Sequence, residues 1–256
     1  MSPRLNDGFL RAPFAHRGLH DLKDGRPENS RAAFTAAIES GYGIELDLQL
    51  SADNQAMVFH DDTLDRLAMA KGPVRAMSAR ALSQTRLKGG DEGIPTLSEV
   101  LKLVAGRVAL LIEIKDQDGA MGPNIGQLEA ATAAALEGYS GLVGLMSFNP
   151  HSVAQMAELC PDIPRGLVTG SYRYDANWPL PKATCDRLRD IPDYDRVGAT
   201  FISHEVADLA CPRVAALKSA GASIFCWTVR SPEVEAEARK VADNVTFEGY
   251  PAKILG

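Results

Sequence analysis

The sequence predicts an α/β fold, a (β/α)8 TIM-type barrel with a β-hairpin excursion after the second strand and a small insertion at the mouth. Three observations lead there. Short β-branched or apolar runs alternate with segments of helical period, the pattern of repeated βα units around a parallel sheet. Nine such runs occur, and two of them are joined too tightly to lie parallel. The chain has 256 residues and no Ser/Gly-rich or Pro-rich linker, a length that α/β barrels use as one unit. A single domain over residues 1–256 is therefore expected.

The candidate strands run from Phe14 to Arg17, Ile44 to Leu50, Met57 to His60, Val108 to Lys115, Leu142 to Phe148, Arg165 to Thr169, Ala199 to Ser203, Ser223 to Val229 and Asn244 to Glu248. Helical patterns fall at Arg31 to Ser40, Leu97 to Ala105, Gln127 to Glu137, Ser152 to Leu159, Arg213 to Ala220 and Glu233 to Val241. The second and third strands are separated only by Ser51-Ala52-Asp53-Asn54-Gln55-Ala56. Parallel strands need a crossover of about a dozen residues or more, so this link, with Asp53-Asn54 as its turn, makes an antiparallel hairpin. Removing Met57 to His60 from the ring leaves eight parallel strands, and folding the hairpin brings His60 beside Asp47. Two long connections remain. Residues 61–94 are expected to form a cap or a surface insertion, and Ser171 to Gly198 carries Tyr172, Tyr174, Trp178, Pro179 and Pro181. Connections of this length are usually functional or disordered.

Hydrophobic residues make up 45% and charged residues 23% of the chain, enough apolar surface for a sizeable core. The formal net charge is -6 without a Lys/Arg tract, so no broad surface draws nucleic acid or an anionic membrane. No stretch reaches the roughly 18 apolar residues of a membrane span, and no signal-peptide pattern precedes Pro13. Cys160, Cys185, Cys211 and Cys226 form neither a CxxC pair nor a dense framework. They read as free thiols in a reducing cytoplasm.

Chemistry in such a barrel sits at the carboxyl ends of the strands. There the chain places Ala15-His16-Arg17-Gly18, Glu45-Leu46-Asp47, His60-Asp61 and Glu113-Ile114-Lys115. Strand alternation puts Glu45 and Asp47 on one face, and likewise Glu113 and Lys115. Buried carboxylates are costly unless paired or bound to a metal. Three at one mouth predict a divalent cation with oxygen ligands, Mg²⁺ or Ca²⁺ first and Mn²⁺ as a further candidate; the competing expectation is an ion-pair ladder with Lys115. A lone strand histidine is usually a core residue. His16 and His60, each at a strand end and followed by a charged residue, instead suggest an acid/base pair working near neutral pH. Arg17 and Lys115 add cations suited to a phosphoryl group.

The ordered set His16-Arg17-Gly18, Glu28-Asn29-Ser30, Glu45-Leu46-Asp47, Asp53 with Val58-Phe59-His60-Asp61, Pro95-Thr96-Leu97 with Glu99, Glu113-Ile114-Lys115, Ser147-Phe148 and Trp227-Thr228-Val229 resembles the glycerophosphodiester phosphodiesterase family over nearly the whole chain. Each string is weak alone; the order makes the set specific. The resemblance implies that Glu45, Asp47 and Glu113 hold one divalent cation, that His16 and His60 act as general acid and base, and that Arg17 and Lys115 contact the phosphate. It implies a supporting or substrate-binding role for Glu28 beside Asn29, where a plain turn into the Arg31 helix is the alternative. Phe148 and Trp227 are expected at the mouth, with core packing as the alternative.

The implied reaction is hydrolysis of a small glycerophosphodiester to sn-glycerol 3-phosphate and an alcohol. Two other readings stand beside it: a lysophospholipase D-like enzyme acting on a larger lysophospholipid under an apolar lid, and a phosphate-binding barrel without turnover. The chain departs from the family at Glu248, whose register after Thr246 is shifted, and at Arg230, where Asn is common after Trp-Thr-Val. Both changes touch the rim.

Overall fold

The computed structural model describes residues 5–173 and 179–254. Tyr174 and Trp178 of the second long connection lie outside the described residues. Among the described residues there are nine strands: β1 (Phe14–Ala15), β2 (Gly43–Leu50), β3 (Ala56–Val58), β4 (Leu110–Ile114), β5 (Val143–Ser147), β6 (Arg165–Thr169), β7 (Phe201–Glu205), β8 (Ser223–Val229) and β9 (Asn244–Phe247). β1 pairs in parallel with both β2 and β9. The parallel order β1-β2-β4-β5-β6-β7-β8-β9 thereby closes on itself, and the eight-stranded barrel is complete.

β3 stands outside the ring, antiparallel to β2 with Leu48 opposite Val58 and Leu50 opposite Ala56. The turn between them is held by the Ser51 amide on the Gln55 carbonyl at 3.0 Å and by Asn54 in the left-handed region at φ 57°, a conformation Asn tolerates. Beyond β3 the ladder continues, with Phe59 N–H donating to the Asp47 carbonyl at 2.9 Å. His60 arrives at the barrel rim as the spacing required.

Alternation sorts the side chains into two cores. Ile44, Leu46, Leu48, Ile112 and Ile114 face outward into the layer shared with the helices, whereas Leu111, Phe14, Phe201 and Phe225 fill the barrel floor with Phe9. Glu45, Asp47 and Glu113 occupy the inward positions above that floor. A polar rim thus rests on an apolar plug, and its side chains have nowhere to go but the mouth.

The helices are α1 (Arg31–Glu39), α2 (Ala79–Gln84), α3 (Leu97–Val104), α4 (Gln127–Leu136), α5 (Pro150–Leu159), α6 (Lys182–Arg189), α7 (Pro212–Ser219) and α8 (Pro232–Ala238). Three of them start on a proline that the periodicity left out, because a proline in the first turn needs no amide partner. α6 was not expected. Its eight residues bury only Cys185 and Leu188, too little apolar signal for a helical pattern. The predicted first strand is cut from four residues to two, since Arg17 takes φ 57° and turns the chain away. Gly18 follows at φ 80°, and a Cβ there would meet Phe34 and Ala33 at 2.9 to 3.0 Å, which explains the glycine.

Residues 61–94 form an excursion with its own small core, in which Leu64, Val74, Leu82, Leu87 and Ile94 pack on Met57 and Phe59. Met69 is exposed. None of the described helices is long and apolar enough to cross a membrane.

Candidate active site

The two histidine strings end at one opening. His16 follows β1, and its Nδ1 lies 2.6 Å from Glu248 Oε2. His60 follows β3, and its Nδ1 lies 2.7 Å from Asp61 Oδ1. Each imidazole therefore has a carboxylate behind it that can accept the Nδ1–H and leave Nε2 for chemistry in the cavity. Burial pushes the His16 pKa down, against the Glu248 hydrogen bond that raises it.

The three carboxylates line the same opening. Glu45, Asp47 and Glu113 are 2%, 1% and 6% exposed, and one ligand oxygen from each lies within 4.8 Å of the others. Burial, together with Asp47 and Glu113, drives the Glu45 pKa well above the usual carboxylate range. Although burial opposes it, Lys115, His60 and Arg17 hold Asp47 far below that range. The Lys115 ammonium is 2.8 Å from Asp47 Oδ1 and 2.6 Å from Glu113 Oε1. Burial works against its charge, but these two anions raise its pKa. Both expectations raised by the sequence meet here, since the carboxylates converge and Lys115 forms the ladder. Three buried, oxygen-only groups converging at one point suit a hard divalent cation.

Arg17 ties these groups together. Its amide donates to Glu45 Oε2 at 3.0 Å, Nη1 donates to Glu28 Oε1 at 2.6 Å, and Nε lies 3.3 Å from Asp47 Oδ2 without an aligned hydrogen bond. Glu28 also accepts from both terminal nitrogens of Arg66, at 2.9 and 3.1 Å. It holds arginines and does not line the opening. Asn29 is fully buried and donates from Nδ2 to Asp47 Oδ2 at 2.9 Å. The Glu28-Asn29-Ser30 string thus serves the site and the turn at once, because the Ser30 hydroxyl caps α1.

The remaining wall is partly aromatic. Phe148 and Trp227 meet edge to face with centroids 5.5 Å apart, and the Trp227 indole donates to the Ser203 carbonyl at 3.0 Å. Both line a cavity of about 160 Å³ together with His16, Arg17, Glu45, Asp47, His60, Glu113 and Lys115. Nine of the ten residues singled out in the sequence thus meet there, all but Glu28. Sequence reasoning missed the hydroxyls of Ser203 and Thr246, which are buried with no hydrogen-bond partner among the described residues in the same cavity wall; single hydroxyls in strands carry no signal. It also missed Arg66 and the pairing of Arg230 behind the carboxylates. Arg66 donates to both oxygens of Asp61, and Arg230 donates to Glu248 Oε1 at 2.6 Å. Arg230 and Glu248 both stood out in the sequence as departures at the rim, but not as partners of each other.

A model of the glycerophosphoryl diester phosphodiesterase family matches residues 16–246. The chain belongs to that family. As a member it is an enzyme of the phosphoric diester hydrolase class, and the barrel is the family's fold. The Bacillus subtilis protein YhdW is 29% identical over 252 residues, covering 94% of this chain and 95% of its own. A glycerophosphodiester phosphodiesterase of Caldanaerobacter subterraneus is 35% identical over 164 residues, covering 60% of this chain and 65% of its own. Among solved structures, an Oleispira antarctica phosphodiesterase in complex with the product sn-glycerol 3-phosphate superposes with a TM-score of 0.77. It is 23% identical and covers 95% of this chain and 94% of its own.

Proposed function

We propose that this family member hydrolyses small glycerophosphodiesters, such as those of choline or ethanolamine, to sn-glycerol 3-phosphate and the free alcohol. The observation that carries the reading is the pair of carboxylate-backed imidazoles and the three buried carboxylates at one barrel mouth. The product named for the Oleispira antarctica relative supports the same substrate class.

Glu45, Asp47 and Glu113 would hold one divalent cation, Mg²⁺ or Ca²⁺ first and Mn²⁺ next. When bound, such an ion supplies Lewis-acid stabilisation of the charge that grows on the phosphoryl oxygens. Arg17, through the Nε that has no aligned hydrogen bond, and Lys115 bind the phosphate oxygens. Glu28 fixes Arg17 in that pose. One of His16 and His60 removes at its Nε2 the proton of the nucleophile, which is water or the neighbouring glycerol hydroxyl, and the other protonates the departing alkoxide; in the second case water then opens the cyclic phosphate. Glu248 and Asp61 fix the ring orientation and stabilise the imidazolium that forms. Phe148 and Trp227 flank the leaving alcohol.

The excursion turns Leu64, Leu82 and Leu87 into its own core, which supports a small head group over a lysophospholipid under an apolar lid. Residues 1–256 would act as one catalytic domain. Four free cysteines suit a reducing cytoplasm, where the product enters glycerol and lipid metabolism.

The test is a coupled glycerol 3-phosphate assay on stripped protein, with choline, ethanolamine and glycerol head groups and each cation added back in turn. Cation-dependent release of glycerol 3-phosphate is expected. Tight substrate binding without release, or turnover that survives exhaustive chelation, would overturn the reading.

A further inference from the structure

On the outer side of the barrel wall a second cluster has no part in this chemistry. In β7, Phe201 and Ser203 face inward, so alternation turns His204 outward, where it is 1% exposed. Its Nε2 lies 3.2 Å from Asp208 Oδ2 and 3.9 Å from Cys211 Sγ. Its Nδ1 lies 2.8 Å from Thr169 Oγ1 on the neighbouring strand.

We infer that His204, Asp208 and Cys211 form a transition-metal site, with zinc as the fitting ion. Zinc bonds to nitrogen, oxygen and sulfur at tetrahedral angles put N and O about 3.3 Å apart and N and S about 3.6 Å apart, close to the separations found. The donor set of imidazole, carboxylate and thiolate selects a borderline-soft metal, unlike the all-oxygen set at the mouth. A neutral imidazole and two anions leave no net charge around a divalent ion, so the site costs little to bury.

Thr169 supplies the outer contact. Its hydroxyl can accept the Nδ1–H, the arrangement typical of a ligating histidine, and the Nε2 lone pair then points at the Asp208 carboxylate and the Cys211 sulfur. Without an ion the other tautomer lets Nε2–H donate to Asp208; a bound cation selects the tautomer with Nδ1–H on Thr169. The segment is also fixed in advance. Asp208 ends a 3-10 turn at Val206–Asp208, the Cys211 amide donates to the Asp208 carbonyl at 3.0 Å, and Cys211 heads α7 directly before Pro212 without using its side chain as a cap. The Asp208 side chain is 25% exposed, which gives the ion a path from solvent and leaves a fourth position for water. Bound there, the metal clamps the β7–α7 connection to the barrel wall.

The experiment is a titration of the stripped full chain with Co²⁺ in excess Mg²⁺, read by the near-ultraviolet thiolate-to-cobalt band. A band that saturates at one equivalent and is displaced by Zn²⁺ is expected. Cys211→Ser should abolish it, Asp208→Asn should weaken it, and Thr169→Val should lower the affinity about 10- to 100-fold, the usual cost of an outer contact. No band in the wild-type protein, or an equal band in Cys211→Ser, would overturn the proposal and leave a plain His204–Asp208 hydrogen bond.

Discussion

Arg66 grips both oxygens of Asp61, with Nε on Oδ2 and Nη2 on Oδ1, each at 2.7 Å. Asp61 in turn accepts from His60, and the same guanidinium reaches Glu28, the carboxylate that holds Arg17. One residue of the 61–94 excursion therefore braces a candidate proton carrier and a candidate phosphate ligand together. The Arg66 side chain is 49% exposed, and ion pairs that open to water add little stability. Its contribution should show in turnover. Arg66→Ala is expected to fold with a nearly unchanged melting temperature while kcat/KM falls roughly tenfold, since small misplacements of reacting groups are costly. Combined with Asp61→Asn, the losses should be less than additive; full additivity would separate Arg66 from the His60 side of the site.

His16→Ala and His60→Ala should each lower kcat by about 10²-fold or more, the usual share of general acid or base catalysis. Each side chain also has packing neighbours, so circular dichroism must show a folded variant. Near-normal turnover in a folded variant would remove that histidine from proton transfer.

Glu248 bears on the pH profile. Burial lowers the His16 pKa from its usual 6.5, and the hydrogen bond and charge of Glu248 act in the opposite direction. Replacing the carboxylate by an amide removes the raising influence. Glu248→Gln should therefore move the limb of kcat/KM that His16 sets to lower pH, the acidic limb if His16 is the base and the alkaline limb if it is the acid, alongside a drop in rate. Neither limb moving to lower pH would show that other groups set both.

Asp61 bears on acid stability. Burial opposes the shift, but the His60 and Arg66 hydrogen bonds hold its folded pKa well below the ordinary carboxylate value, which is about 3.9 in an unfolded chain. A depressed folded pKa contributes stability that is complete above the unfolded value and is lost as pH falls through the folded one. Urea midpoints should fall as pH drops below about 4, and Asp61→Asn should fall less steeply over the same window. Equal slopes for both proteins would assign the acid loss to other carboxylates.

Much of this site could be read from strand logic alone. Glu45 and Asp47 share a face because their spacing is two, and the short Ser51–Gln55 link forced the hairpin that carries His60 to the rim. What the chain order could not convey is contact between distant segments. Glu248 reaches His16 across 232 positions, and Arg66 meets Glu28 only because the excursion folds back over α1. α6 was hidden for another reason, since its two buried side chains leave too weak a period to notice.

The buried cation of Lys115 gives the sharpest test of the carboxylate cluster. Its ammonium now sits on Asp47 and Glu113, and removing one member of a buried ion pair usually costs about 3–5 kcal/mol because a charge is left unmatched. Lys115→Met should therefore lower the melting temperature of the stripped protein by roughly 10 °C, at about 2–4 °C per kcal/mol for a chain of this size. If the three carboxylates take up a divalent cation, Mg²⁺ or Ca²⁺ should restore most of that loss, because ligands that bind only the folded state stabilise it. The cation supplies the charge that the methionine lacks. Turnover should stay low even in the saturated variant, since the ammonium would still be missing from the phosphate. A melting temperature that ignores both ions would mean that Glu45, Asp47 and Glu113 form a salt-bridged cluster around Lys115 and Arg17 rather than a metal site.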